Sequence, residues 1–140
     1  MPIDPNTAAS PESGIFGLED TPEQARVVLV PAPFEATTSG RRGTADGPAA
    51  IVDASRQVDL RDIGMGDPWR PGIAMLDADP RIREASDRAV RIAERRSEAA
   101  MSAEELGVVD ELCAQTNGWI GAAIGEWLER GKLVGLLGGD

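Results

Sequence analysis

Along the first half of the chain the apolar positions come in short unbroken blocks, and beyond residue 79 they recur every three or four residues. The block Val27–Val30 is apolar throughout and mostly β-branched, which predicts a strand buried on both faces and ended by Pro31 and Pro33. A long loop of small and polar residues follows, Phe34–Gly47, and Pro48 suits the first turn of a helix over residues 48–57. Residues 58–72 read as loop with a short strand at Val58–Leu60, and Ile73–Leu76 as another short strand. The period then changes. Asp79 is placed to cap a helix, Pro80 takes its first position, and Ile82, Ala85, Ala89 and Ile92 form an apolar stripe, with Glu84 and Arg88 paired on the outer face.

A second helix opens at Ser102 and Glu105, which have the spacing of a capping box. Its stripe is Leu106, Val109, Cys113, Thr116, Ile120, Ile124 and Trp127, with a bend expected at Asn117 and Gly118. Gly131 marks its end, and Leu133–Leu137 predicts a last strand. This order points to the α/β class, a parallel sheet with helices on its faces. A doubly wound sheet needs more strands than these, so the domain reads as unfinished. Residues 1–21, rich in Pro, Ser and Asp and without period, read as a flexible arm or a strap ordered against a neighbour; residues 22–140 hold the domain.

Composition narrows the chemistry. Aromatic residues make up 4% of the 140 residues, so the core must come from Val, Leu, Ile and Ala. Acidic residues outnumber basic ones 24 to 14, a net charge of -10. Such a surface repels phosphate backbones and anionic lipid, so neither nucleic acid nor membrane is an expected partner. It favours cationic small molecules, although an acidic surface mainly serves solubility. The single cysteine, Cys113, excludes an internal disulfide and sits in the helical stripe as an inert thiol does. The start, "MPIDPNTAASPESG", has neither the basic end nor the apolar middle of a secretory signal, and no apolar stretch reaches the roughly 18 residues of a membrane span. The cytoplasm is the expected location. The chain has no histidine, which removes the commonest general base and metal ligand from these residues.

In an open parallel sheet, ligands bind at the carboxyl ends of the strands. Two segments are predicted there, the loop Pro33–Gly47 and Gly138-Gly139-Asp140. Glycines let backbone approach a ligand closely, and an aspartate can hold a cation or orient a metal ligand. By itself, though, a glycine pair after a strand is more often a plain turn. Arg41 and Arg42 lack an accompanying Gly-x-x-x-x-Gly-Lys pattern and read as solvated loop residues. Trp69, Trp119 and Trp127 are too scattered for a stacking platform, and Asp79, which with Asp77 has the spacing of a metal clamp, is already explained as a cap.

Two segments together resemble the ureohydrolase family of arginase, agmatinase and formiminoglutamase. "VPAPFEATTSGRRGTADGPAAI" looks like that family's strand end, Phe-Asp pair, Thr/Ser loop with Arg and Gly, then Gly-Pro and a helical Ile. Here these are Phe34-Glu35, Thr38-Ser39, Arg41, Gly43, Gly47-Pro48 and Ile51. "LVGLLGGD" looks like the strand leading into the family's Gly-Gly-Asp-His-Ser motif. The resemblance implies the N-terminal part of a parallel-sheet α/β/α sandwich of the arginase type. It further implies a pair of manganese ions holding a hydroxide that attacks a guanidinium or formimino carbon, releasing urea or formamide, and a homo-oligomer.

The resemblance assigns Glu35, Thr38, Ser39 and Arg41 to a substrate-side loop and sets Gly138, Gly139 and Asp140 beside the metal. It supplies no catalytic residue and no metal ligand from this chain. The family's first ligand is the histidine after the position of Asp140, and the others come from later Asp-x-His-x-Asp and Asp-x-Asp motifs. Glu35 replaces the usual aspartate and Ala45 an arginine common in agmatinase-like members. The expectation is therefore a truncated N-terminal segment, inactive alone, that needs the rest of the polypeptide or a complementing chain. Two alternatives stand beside it: a binding or assembly module that completes a partner's sheet, and a nucleotide-binding α/β domain using its glycine-rich strand end.

Overall fold

Strand β1, Val27–Ala32, lies between β2, Ile73–Met75, and β3, Leu133–Gly138, and both pairings are parallel. The structure, a computed structural model, describes residues 9–36, 38, 41–95 and 101–139. Parallel neighbours need crossovers, and helices supply them. Helix α1, Gly47–Ser55, joins β1 to β2; α2, Pro80–Glu94, and α3, Ala103–Glu129, join β2 to β3. The two crossovers run in opposite directions across the sheet, so the right-handed crossover rule places them on opposite faces. The chain is thus α/β, with a three-stranded parallel sheet and helices among the described residues.

The unbroken apolar run does become the central strand, but its burial alternates: Val28, Val30 and Ala32 are buried on one face, while Val27 and Leu29 on the other are only partly covered. Pro31 does not end it; it pairs with Leu137 inside the strand. The Leu29 carbonyl accepts from Leu76 N–H on the β2 side, and strand residues alternate sides, so Pro31 turns its missing donor toward the side where β2 has ended at Met75. The strand expected at Val58–Leu60 does not form. Its place in the connection is taken by a turn closed by the Asp62–Gly66 bridge, in which Asp62 Oδ1 accepts from the N–H groups of Gly64 and Met65.

Helix α2 starts where its signals say, with Asp79 Oδ1 accepting from Arg81 N–H at 2.9 Å, and it buries Ile82, Ala85, Ala89 and Ile92. No Glu84–Arg88 ion pair forms among the described residues; Arg83 pairs instead with Asp87 and, across elements, with Asp46. Helix α3 opens on the complete Ser102–Glu105 capping box and runs 27 residues without interruption. Asn117 and Gly118 do not bend it. Its buried side chains are Val109, Leu112, Thr116 and Trp127, while Leu106 is exposed, so the contact face is turned from the expected stripe toward Leu112. Cys113 is half-buried, and burial pushes its thiol above its usual range, with the Asp110 charge adding to it. The α2–α3 core also takes in Phe34 and Ala36, the residues just past β1.

The arm expected over residues 1–21 is a strap in its described part, residues 9–21, and it packs on this chain itself. Ile15, in the 3-10 turn Ile15–Gly17, and Leu18 are almost wholly buried. Phe16 N–H donates to Ser55 Oγ at 2.8 Å, and Arg56 Nε donates to the Ser13 carbonyl at 3.0 Å, tying the strap to the end of α1. Burying a leucine removes enough apolar surface to hold such a segment down. Leu18→Ala should therefore lower stability by about 2–4 kcal/mol in urea unfolding. Ile63→Ala, at a fully exposed turn position, should change it by less than about 0.5 kcal/mol.

Candidate functional site

The order β2-β1-β3 means the chain leaves β1 toward one side and returns on the other, so its topological switch point lies between the carboxyl ends of β1 and β3. The two segments singled out in the sequence meet there. Ala32 pairs with Gly138, and the Ala32 carbonyl accepts from both Phe34 N–H at 2.8 Å and Gly139 N–H at 3.0 Å. One oxygen, with its two lone pairs, thus turns the chain out of β1 and holds the end of β3 against it. The approach is so close that a Cβ on Gly139 would lie 1.6 Å from the Phe34 carbonyl oxygen. Only glycine fits without moving backbone. Gly47, at the start of α1, stands close by, where a Cβ would be 3.8 Å from the Gly138 carbonyl.

Glu35 organises the loop between them. Its side chain is buried, and Oε2 accepts from Gly43 N–H at 2.8 Å, Ala45 N–H at 3.2 Å and Thr44 Oγ1 at 3.1 Å. These donors start the 3-10 turn Thr44–Asp46, which runs directly into α1. A carboxylate at such an end also meets the positive end of the helix dipole. Burial pushes the Glu35 carboxyl upward, but the hydrogen bonds from Gly43, Ala45 and Thr44 together outweigh it and leave the carboxyl below its ordinary value. Oε2 is directed at the loop's own backbone. Ala45 is buried beside it, where a longer side chain would need room of its own.

Helix α2 grips this loop at three places. Ser86 Oγ accepts from Glu35 N–H and donates to the Glu35 carbonyl, each at 2.9 Å, and Ser86 is 1% exposed. Arg83 pairs with Asp46 and Arg42 with Glu94, both at 2.6 Å. Thr38 is half-buried and Arg41 exposed. Ser39 and Asp140 lie outside the described residues. Ser86 was not singled out in the sequence, although a signal was present: it falls four residues after Ile82 and three before Ala89, a hydroxyl on an otherwise apolar face.

Manganese is implied by the sequence resemblance, but the residues here do not make a site for it. Among the described residues no three His, Cys, Asp or Glu side chains come together, and the chain has no histidine. Glu35, the buried carboxylate nearest the strand ends, already holds three loop donors with one oxygen.

The model of the arginase family matches residues 25–140. The chain belongs to the arginase family. It is 29% identical to an N(1)-aminopropylagmatine ureohydrolase of Synechocystis over 116 residues, covering 83% of this chain and 31% of that protein. A protein of the same description from Thermus thermophilus is 35% identical over 81 residues, covering 56% of this chain and 27% of the relative. The chain thus spans under a third of the length of either relative. No solved structure matches it. Within this arginase-family chain, the match includes both the β1 loop and the β3 end that the fold brings together.

Two outcomes follow from the geometry. Because the folded Glu35 carboxyl titrates below its unfolded value of 4.5, its stabilising contribution is complete above that value and is lost as pH falls from there through the folded value. Glu35→Gln should flatten that acid limb when urea unfolding is followed between about pH 3 and pH 7. Gly139→Ala should cost more than about 2 kcal/mol, whereas Gly118→Ala, on an exposed face of α3 with open space around it, should raise stability by up to about 1 kcal/mol.

Proposed function

We propose that these residues are the N-terminal segment of a ureohydrolase that cleaves the C–N bond of a guanidino amine, releasing urea, and that the segment does not act alone. The observation that carries this reading is the meeting of the Phe34–Gly47 loop with Gly138–Gly139 at the switch point, where an open parallel sheet binds its ligands. Family membership supplies the reaction class. Both relatives are named for N(1)-aminopropylagmatine, a guanidino compound with further amines, and the net charge of -10 favours such a cation over an anionic substrate. A formimino substrate is the other member of the same reaction class.

In this reading the segment contributes the frame of the site. The loop at β1, with Glu35, Thr38, Ser39 and Arg41, forms its substrate side, and Gly138, Gly139 and Asp140 lead to the metal side. Manganese is held by ligands outside these residues, and the protein works in the cytoplasm as a homo-oligomer. The outer side of the sheet supports the need for more polypeptide: among the described residues β3 has no partner beyond β1, and Leu133 and Leu136 are more than half exposed. A strand left so apolar at a sheet edge calls for cover. The same edge is what a module completing a partner's sheet would present, but that reading leaves the paired motifs unexplained.

Urea release from agmatine and N(1)-aminopropylagmatine tests the reading directly. With added manganese, the 140-residue chain should release none and should bind the metal only weakly. The polypeptide continued through its downstream coding sequence should release urea. Hydrolysis or tight manganese binding by the 140 residues would overturn the placement of the ligands elsewhere. A continued, manganese-loaded polypeptide inert toward both compounds and toward formiminoglutamate would overturn the ureohydrolase reading itself.

A further inference from the structure

We infer that Ser86 is a positioning residue for the substrate-side loop, acting through Glu35, with Arg83 as a second, outer hold on the same loop. The inference rests on the ureohydrolase reading for its effect on turnover, and on geometry alone for the device itself.

A serine in mid-helix ordinarily faces solvent or bonds back to its own helix. Ser86 does neither. It is 1% exposed, on the face of α2 that buries Ile82, Ala85 and Ala89, and its hydroxyl makes both of its hydrogen bonds to a single residue in another element, accepting from Glu35 N–H and donating to Glu35 C=O. Glu35 follows β1 immediately in the loop and has no strand neighbour at that point to satisfy those two backbone groups. The hydroxyl replaces the missing strand. By fixing the backbone on both sides of the Glu35 Cα, it sets the direction in which the side chain leaves.

That direction has consequences. The Glu35 carboxylate gathers Gly43, Thr44 and Ala45, and these position the start of α1, where Gly47 stands against Gly138 at the end of β3. The chain of contacts thus runs from Ser86 to Glu35, to the return of the loop, to the β3 end. Arg83 lies one turn before Ser86 on α2 and ties Asp46, the residue before α1, to the same helix. Phe34 and Ala36, on either side of Glu35, are packed in the α2–α3 core. Helix α2 is therefore a splint for the loop, and Ser86 is its one contact to the Glu35 backbone among the described hydrogen bonds. A serine needed only for packing would be served by alanine, which is nearly its size. Here alanine would leave a buried N–H and a buried C=O unsatisfied at the root of the loop.

Two measurements test this. In the 140-residue chain, amide hydrogen exchange is read at Gly43 and Ala45 for the parent, Ser86→Ala, Ser86→Thr and Arg83→Met, with Leu18→Ala as a destabilised variant outside the device. Ser86→Ala should speed exchange at those two amides by about tenfold or more over any global change, Ser86→Thr should keep parent rates by retaining the hydroxyl, and Leu18→Ala should speed Gly43 and Ala45 no more than the amides that exchange through global unfolding. In the full manganese-loaded polypeptide, Ser86→Ala should raise KM for the guanidino substrate by about tenfold while kcat stays within about threefold. Arg83→Met, on the surface and safe for folding, should move KM the same way by a smaller factor. Equal exchange at Gly43 and Ala45 in Ser86→Ala and Leu18→Ala, or in Arg83→Met and the parent if Ser86→Ala does not fold, would overturn the positioning role. Local exchange effects with no change of KM in an active polypeptide would overturn its part in substrate binding. A polypeptide that releases no urea in any form would count against the ureohydrolase reading, and exchange alone would then decide the role of Ser86.

Discussion

The Ala32 carbonyl is the joint on which the arrangement turns. It receives Phe34 N–H, which bends the chain out of the central strand, and Gly139 N–H, which carries the β3 pairing one residue past the strand itself. Both donors must reach one oxygen, so the β1 loop and the β3 end cannot stand apart. The consequence is steric: the backbone of Gly139 passes so near the Phe34 carbonyl that no side chain is admitted. A glycine whose sequence context suggests a plain turn is in fact dictated by contact between two segments more than a hundred positions apart.

With that joint set, the rest of the loop needs an internal anchor, because loop backbone brought close to the core cannot leave its N–H groups unpaired. Glu35 supplies one anchor from its side chain and Ser86 supplies the other to its backbone. The carboxylate accepts from three donors, which accounts for its downward titration despite burial. Aspartate, the usual family residue at this position by resemblance, is one methylene shorter. The longer glutamate here reaches Gly43 and Ala45 across the loop.

The two crossovers serve different ends. Helix α1 is short and is held by the strap through Ser55 and Arg56. The α2–α3 pair carries the apolar core with Phe34 and Ala36 drawn into it, so the core and the root of the candidate site are one packing unit. A change in that core is accordingly felt at the loop. No helix among the described residues is long and apolar enough to cross a membrane.

Several features were legible from the residues alone because their causes are local. The cap at Asp79, the capping box at Ser102 and Glu105, and the stripe of α2 each follow from neighbours within a few positions and formed as read, and the β-branched run Val27–Val30 became a strand. The order of elements was enough for the parallel α/β class, and the two motifs were enough for the family. Other features were not legible because their partners are remote. Pro31 stays in its strand since β2 happens to stop beside it, and α3 turns Leu112 inward because α2 and Phe34 lie on that side. Ile15 and Leu18 gain a burial site only once α1 is folded. The resemblance assigns Glu35 to the substrate-side loop, but the three donors around its carboxylate come from the return of that loop and could not be read along the chain. Propensity and periodicity act along the chain and write the elements into the sequence; close approach and hydrogen-bond satisfaction act across it, and only the tertiary structure decides them.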